Sequence, residues 1–256
     1  MSEHFFIIGA QRAGTTYLYS ALDSHPEIEM AKPVRPEPKY FLNTESEAIS
    51  IDAYRRAYFS GKPGAWLLGE KSTSYLESEK AAQRIAATFP RARLVVMLRD
   101  PVRRAISNYY FSVENGLETA PIEVAFYQEE ERLRTERSTT SVSPFAYLSR
   151  GRYVDFIERY ERYFPREQII ILIHEQFLGS VAAYQALCAR LSVGTAHIPP
   201  TLNQRINATT LAQAPLPPSL EHYLRDYFAA SNKRLADKYG LDLDCWSSCK
   251  KPASSG

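Results

Sequence analysis

Residues 5–16 (FFIIGAQRAGTT) form an apolar run that ends in a glycine-bounded turn and passes into helix-forming sequence. A strand that turns sharply into a helix brings the unpaired N–H groups of the helix's first turn to one point, where an anion is stabilised. The spacing from Gly9 to Gly14 matches the P-loop pattern G-x-x-x-x-G-K-[ST], but Thr15 stands where the pattern has lysine. That lysine grips the β- and γ-phosphates of a nucleoside triphosphate, so its loss argues against ordinary triphosphate chemistry. The cation is instead Arg12, inside the turn, whose guanidinium can fork onto two oxygens of one anion. The candidate cradle is therefore Arg12, Ala13, Gly14, Thr15 and Thr16. The competing reading is that the two glycines only allow a tight strand-to-helix turn.

Residues 93–110 (RLVVMLRDPVRRAISNYY) repeat the logic. Leu94 to Leu98 is a continuous apolar run, as expected of a strand buried on both faces of a parallel sheet, and Pro101 suits the first turn of a helix. Arg99 then lies at the carboxyl end of a strand, the edge where open α/β sheets bind ligands, with Ser107 two turns along the helix. Arg99 and Ser107 are read as a second anion site, and Arg103 and Arg104 as a solvated basic face.

Elsewhere the pattern alternates. Strands are expected at 5–8, 67–69, 94–98 and 168–173, and helices at 15–24, 51–59, 78–89, 101–115 and 221–239. This predicts an α/β, P-loop-like three-layer fold, a central parallel β-sheet flanked by helices, with 1–249 a single domain and 250–256 a flexible tail. Residues 128–137 read as an exposed charged helix followed by a mobile loop. Most tyrosines are expected to pack with the hydroxyl at the surface. With 31 basic and 29 acidic residues, the net charge of +2 gives no general case for nucleic acid or an anionic membrane as partner. No segment approaches the roughly 20 apolar residues of a membrane span. The five histidines show no H-x-x-x-H pairing, and no metal is expected. Of three cysteines, Cys188 is expected buried, and Cys245 and Cys249 are expected as free thiols.

Taken together, GAQRAGTT and LRDPVRRAISNYY resemble the sulfotransferases that use 3′-phosphoadenosine 5′-phosphosulfate (PAPS). EPKYF (37–41) is similar to the E-x-[HK]-[FY]-F element of the heparan-sulfate type, and GEKSTSYL (69–76) to its E-K-[ST]-P-x-Y segment. The resemblance runs through GRYVDFIERYERYFPREQIIILIHEQF to SNKRLADKYGLDLDCW, nearly the whole chain. It implies that the first motif holds the 5′-phosphosulfate, that Arg99 and Ser107 hold the 3′-phosphate, that Glu37 is the catalytic base, and that Lys71 reaches the active site. Lys39 and Arg12 join Lys71 as cations for the departing phosphate, and Arg205 is brought toward the nucleotide. The implied activity is sulfuryl transfer from PAPS to a hydroxyl or amine of a carbohydrate or other small-molecule acceptor, leaving PAP, without a metal, in a soluble cytoplasmic enzyme of bacterial style. A P-loop nucleotide kinase and a non-catalytic nucleotide-binding module are the alternatives.

Overall fold

The apolar runs become five parallel strands in a computed structural model that describes residues 3–43, 50–135, 143–203 and 215–249. In chain order the elements begin β1 (Glu3–Gly9), α1 (Thr15–Asp23), β2 (Ile28–Met30), α2 (Tyr40–Asn43), α3 (Ile51–Tyr58), β3 (Leu67–Lys71), α4 (Glu79–Thr88) and β4 (Arg93–Leu98). They continue with α5 (Pro101–Glu114), α6 (Ile122–Tyr127), α7 (Glu129–Thr135), α8 (Tyr153–Tyr160), β5 (Ile169–Ile173), α9 (His174–Phe177), α10 (Val181–Arg190) and α11 (Pro218–Tyr239). The sheet order is β2-β3-β1-β4-β5 and each neighbouring pair is parallel. Parallel neighbours need crossover connections, which helices supply here, and both faces of the sheet are covered; this is why β1 and β4 read as unbroken apolar runs. The fold is the expected P-loop-like one, a parallel sheet flanked by helices.

The chain divides into two compact units, residues 1–98 with 156–207 and residues 99–155 with 208–256. The first contains the whole sheet. On its β1 side an aromatic core gathers His4, Phe6, Phe41, Tyr54 and Phe89, with His4 stacked on Phe89 at 4.0 Å and Phe6 edge-on to Phe41 at 5.5 Å. The buried Glu29 of β2 folds the loop beyond α3: its carboxylate accepts hydrogen bonds from the backbone N–H of Ser60 (2.6 Å), Gly61 (3.0 Å) and Lys62 (2.9 Å). Lys62 in turn donates to the carbonyls of Asp23, His25 and Ile28, closing the α1–β2 turn.

In the second unit, α5 and α11 share a core of Ala105, Tyr109, Phe126, Tyr147, Leu220, Leu224 and Phe228. Two carboxylates fix its irregular stretch. Glu129 accepts from the backbone N–H of Tyr147 (2.8 Å), Leu148 and Ser149 (2.8 Å), while Glu118 accepts from Arg132 (2.7 Å) and from the Tyr147 hydroxyl (2.9 Å). The 128–137 segment is therefore not wholly exposed: α7 opens on buried Glu129, although residues 136–142 lie outside the described residues. Arg104 also departs from expectation. It is fully buried and donates to the Tyr147 carbonyl, because it faces the α5 interior while Arg103 faces solvent. The hydroxyls of Tyr17, Tyr75, Tyr147 and Tyr153 likewise find partners inside the protein instead of at its surface.

Candidate active site

β1 ends at Gly9, and α1 begins at Thr15 with Gly14 as its N-cap, so no side chain caps the first-turn N–H groups of this helix. The turn between them is pinned by Ala10 N–H on the Met97 carbonyl (2.8 Å) and by Ala13 N–H on the Ala10 carbonyl (3.2 Å). Gly14 has φ 87°, and a Cβ there would come within 2.6 Å of His174 Nδ1, so the turn needs glycine on two grounds. A Cβ on Gly9 would lie 2.8 Å from Leu76 Cβ. Arg12 has φ 67°, the left-handed region that costs a non-glycine residue roughly 1–2 kcal/mol. His174, the first residue of α9, meets the Ala13 carbonyl through Nδ1 at 3.0 Å; a carbonyl only accepts, so Nδ1 carries the proton. The cradle fits a phosphate or phosphosulfate: uncapped helix N–H groups, two threonine hydroxyls and a guanidinium in one short turn.

The second group of residues forms beside this loop in the same unit. Lys71 ends β3 in register with Ile7 of β1, and the following turn is tied to β1 through Ser72 N–H to the Ile7 carbonyl (3.1 Å) and Leu76 N–H to the Ile8 carbonyl (2.9 Å). β3 runs two residues further than its apolar run predicts, so Lys71 is a strand residue with a side chain only 4% exposed. Its ammonium pairs with Glu37 Oε1 at 2.5 Å. Glu37 also accepts from Thr73 N–H (2.9 Å) and from Thr73 Oγ1 (2.9 and 3.1 Å). A carboxylate so held keeps one orientation while its side chain stays 15% exposed. Lys39, at φ 49°, donates its backbone N–H to Ser72 Oγ (2.9 Å).

In the second unit, Asp100 caps α5 by accepting from Val102 N–H (3.0 Å), and its other oxygen accepts from Ser247 Oγ (2.6 Å) and Ser248 N–H (3.1 Å). The Arg99 carbonyl accepts from the Tyr153 hydroxyl (2.8 Å), and Ser107 is buried on α5. Arg205 lies outside the described residues.

The structure thus brings Glu37 and Lys71 into direct contact and sets the Arg12–Thr16 turn on the neighbouring strand. Sequence reading missed Thr73, Ser72, Glu70 and His174. A polar run, E-K-S-T, at the end of an otherwise apolar strand was the available signal for the first three. Nothing marked His174, whose contact spans 161 positions of the chain. Among the described residues no cluster of three or more His, Cys, Asp or Glu side chains could hold a metal ion, and no helix is long and apolar enough to cross a membrane.

The sulfotransferase domain family matches residues 2–179. Human bifunctional heparan sulfate N-deacetylase/N-sulfotransferase 3 is 31% identical over 175 residues, 67% of this chain and 20% of that protein. Mouse heparan sulfate glucosamine 3-O-sulfotransferase 5 is 30% identical over 167 residues, 65% of this chain and 46% of that protein. The chain spans less than half the length of these curated relatives. The crystal structure of a sulfotransferase from Alicyclobacillus acidocaldarius matches with a TM-score of 0.80 at 30% identity, covering 96% of this chain and 99% of that one. The lysine-free Gly9–Thr16 turn and the Glu37–Lys71 pair accordingly sit in a chain that belongs to the PAPS-dependent sulfotransferase family.

Proposed function

We propose that this enzyme moves a sulfuryl group from PAPS to a hydroxyl or amine of a carbohydrate or other small-molecule acceptor, with Glu37 as general base. The observation that carries this reading is the Glu37 carboxylate, fixed by Lys71 and Thr73 at the end of β3, beside the strand that opens into the anion loop. When bound, PAPS supplies the sulfuryl group and a stable phosphate leaving group. Glu37 takes the proton from the acceptor as its oxygen or nitrogen bonds to sulfur. Arg12, Lys39 and Lys71 meet the charge that gathers on the departing 5′-phosphate, while Ala13, Gly14, Thr15 and Thr16 cradle it with backbone N–H groups and hydroxyls. Arg99 and Ser107, with Arg205, bind the 3′-phosphate. As in phosphoryl transfer, positioning and charge stabilisation do most of the work.

Residues 1–249 act in this proposal as one sulfotransferase domain, working in the cytoplasm, where PAPS is made. A kinase would want the lysine that Thr15 replaces, and a mere nucleotide-binding module would have no use for the Lys71–Glu37 pair. The test is calorimetric titration with PAP, followed by labelled PAPS offered to a panel of N-desulfated heparin, oligosaccharides, phenols and amines without divalent metal. Saturable PAP binding and transfer of label to a panel member are expected. Binding of ATP in preference to PAP would contradict the proposal.

A further inference from the structure

Glu70 lies in the middle of the first unit and is not used by the chemistry above. It is 1% exposed, and its carboxylate accepts from the Tyr54 hydroxyl (2.7 Å) and Ser72 Oγ (2.6 Å), with the Tyr75 hydroxyl as a third partner. Burial raises its pKa, and the Glu37 charge adds to this, while the three hydroxyls act in the other direction. Two of these hydroxyls face a second way. Ser72 Oγ accepts the Lys39 backbone N–H (2.9 Å), and the Tyr75 hydroxyl accepts the Phe41 backbone N–H (3.1 Å).

A hydroxyl has one proton to give and two lone pairs to receive with. With its proton committed to Glu70, each of these hydroxyls can turn a lone pair only toward the loop, so the buried acceptor sets the direction of both relays. The two amides they hold are Lys39, two residues after Glu37, and Phe41, whose carbonyl is fixed in turn by Arg84 Nη1 (3.0 Å). Tyr54 differs: its hydroxyl donates to the same carboxylate and its ring packs against Phe41, but among the described residues no backbone N–H of the 37–41 segment donates to it.

We propose that Glu70 is a positioning residue which, through the hydroxyls of Ser72 and Tyr75, locks the 37–41 segment and so aims Glu37 and Lys39 at the reacting atoms. This rests on the assignment of Glu37 as base. A leucine at position 70 keeps much of the size but removes both acceptor oxygens, so neither relay hydroxyl has a buried acceptor to fix the direction of its proton.

The experiment compares E70L, S72A, Y75F, Y54F and E37Q with the wild type by backbone amide exchange, PAP affinity and turnover of PAPS on the best acceptor of the panel above. E70L should deprotect the amides of Lys39 and Phe41, S72A that of Lys39, and Y75F that of Phe41, while Y54F leaves both protected. The three relay variants should lose about 10- to 100-fold in kcat, the cost of a misplaced catalytic group, with PAP affinity held within about threefold. The E70L/S72A/Y75F triple should be no slower than E70L by more than about twofold, since the three act as one unit. Wild-type protection of both amides in E70L, or equal deprotection in Y54F, overturns the proposal. If E70L does not fold, S72A and Y75F carry the same test. E37Q separates the two ideas: an active E37Q sinks the base assignment, whereas an inactive E37Q beside a fully active E70L sinks only the role of Glu70.

Discussion

Arg12 shows how a single residue can be strained for a purpose. Its left-handed backbone is unfavourable for an arginine, and the turn is held in place by Gly14 and His174 on one side and by Gly9 and Leu76 on the other. Gly14→Ala must accept both a positive φ and a Cβ 2.6 Å from an imidazole nitrogen. We expect a loss of about 1–3 kcal/mol in stability, read by thermal unfolding, together with loss of PAP binding. Arg99→Ala should act differently. Removing a charge-assisted hydrogen bond to phosphate weakens PAP binding about 10- to 100-fold, while kcat at saturating donor changes little. A calorimetric titration and a donor saturation curve separate the two effects. At this scale Glu37, Lys71 and the Arg12–Thr16 turn were legible because they sit in short motifs. Thr73 lies in the same motif as Lys71, but its hold on Glu37 is visible only in the fold, and His174 lies in no motif and acts through a contact that crosses 161 positions.

At the scale of elements, continuous apolar runs located β1, β4 and β5 within two residues, and Ser50, Ser78 and Asp100 act as the N-caps that set the starts of α3, α4 and α5. β2 escaped notice because it is three residues long with Glu29 at its centre, and strand patterns of that length carry no readable period. Arg104 was misread because a basic pair at a helix start looks solvated until one of the two faces is covered. Glu29 yields a pH prediction. Burial pushes its carboxyl up, but hydrogen bonds from Lys62, Ser60 and Gly61 outweigh this and hold it below its ordinary value of 4.5. A lowered folded pKa means that its stabilisation is complete above the unfolded value and disappears as pH falls through the folded one. Glu29→Gln should therefore cost about 1–3 kcal/mol near pH 7, and the gap from wild type should narrow steadily as unfolding is followed from pH 5 downward. A gap independent of pH would show that the cost is one of shape alone.

For the whole molecule, the alternation of strands and helices was enough to fix the fold class, since parallel strands oblige helical crossovers and covered faces. The division into two units was not legible, because the chain crosses between them more than once, after Leu98 and again inside α8, so neither unit is one continuous stretch of sequence. In the proposed transfer the charge on the leaving phosphate is met by Arg12, Lys39 and Lys71, so no divalent ion is required. Turnover should therefore survive a chelator, and loss of activity in EDTA restored by magnesium would favour the kinase instead. PAP at a hundred times its Kd should stabilise the protein by about 2.7 kcal/mol, visible as a concentration-dependent rise in Tm. The central claim is that Glu37 performs the chemistry and does not hold the donor. Its most direct test measures transfer from labelled PAPS and PAP affinity side by side in wild type and Glu37→Gln: the account predicts unchanged affinity with transfer lowered about 10²- to 10⁴-fold, and equal transfer by the two proteins would contradict it.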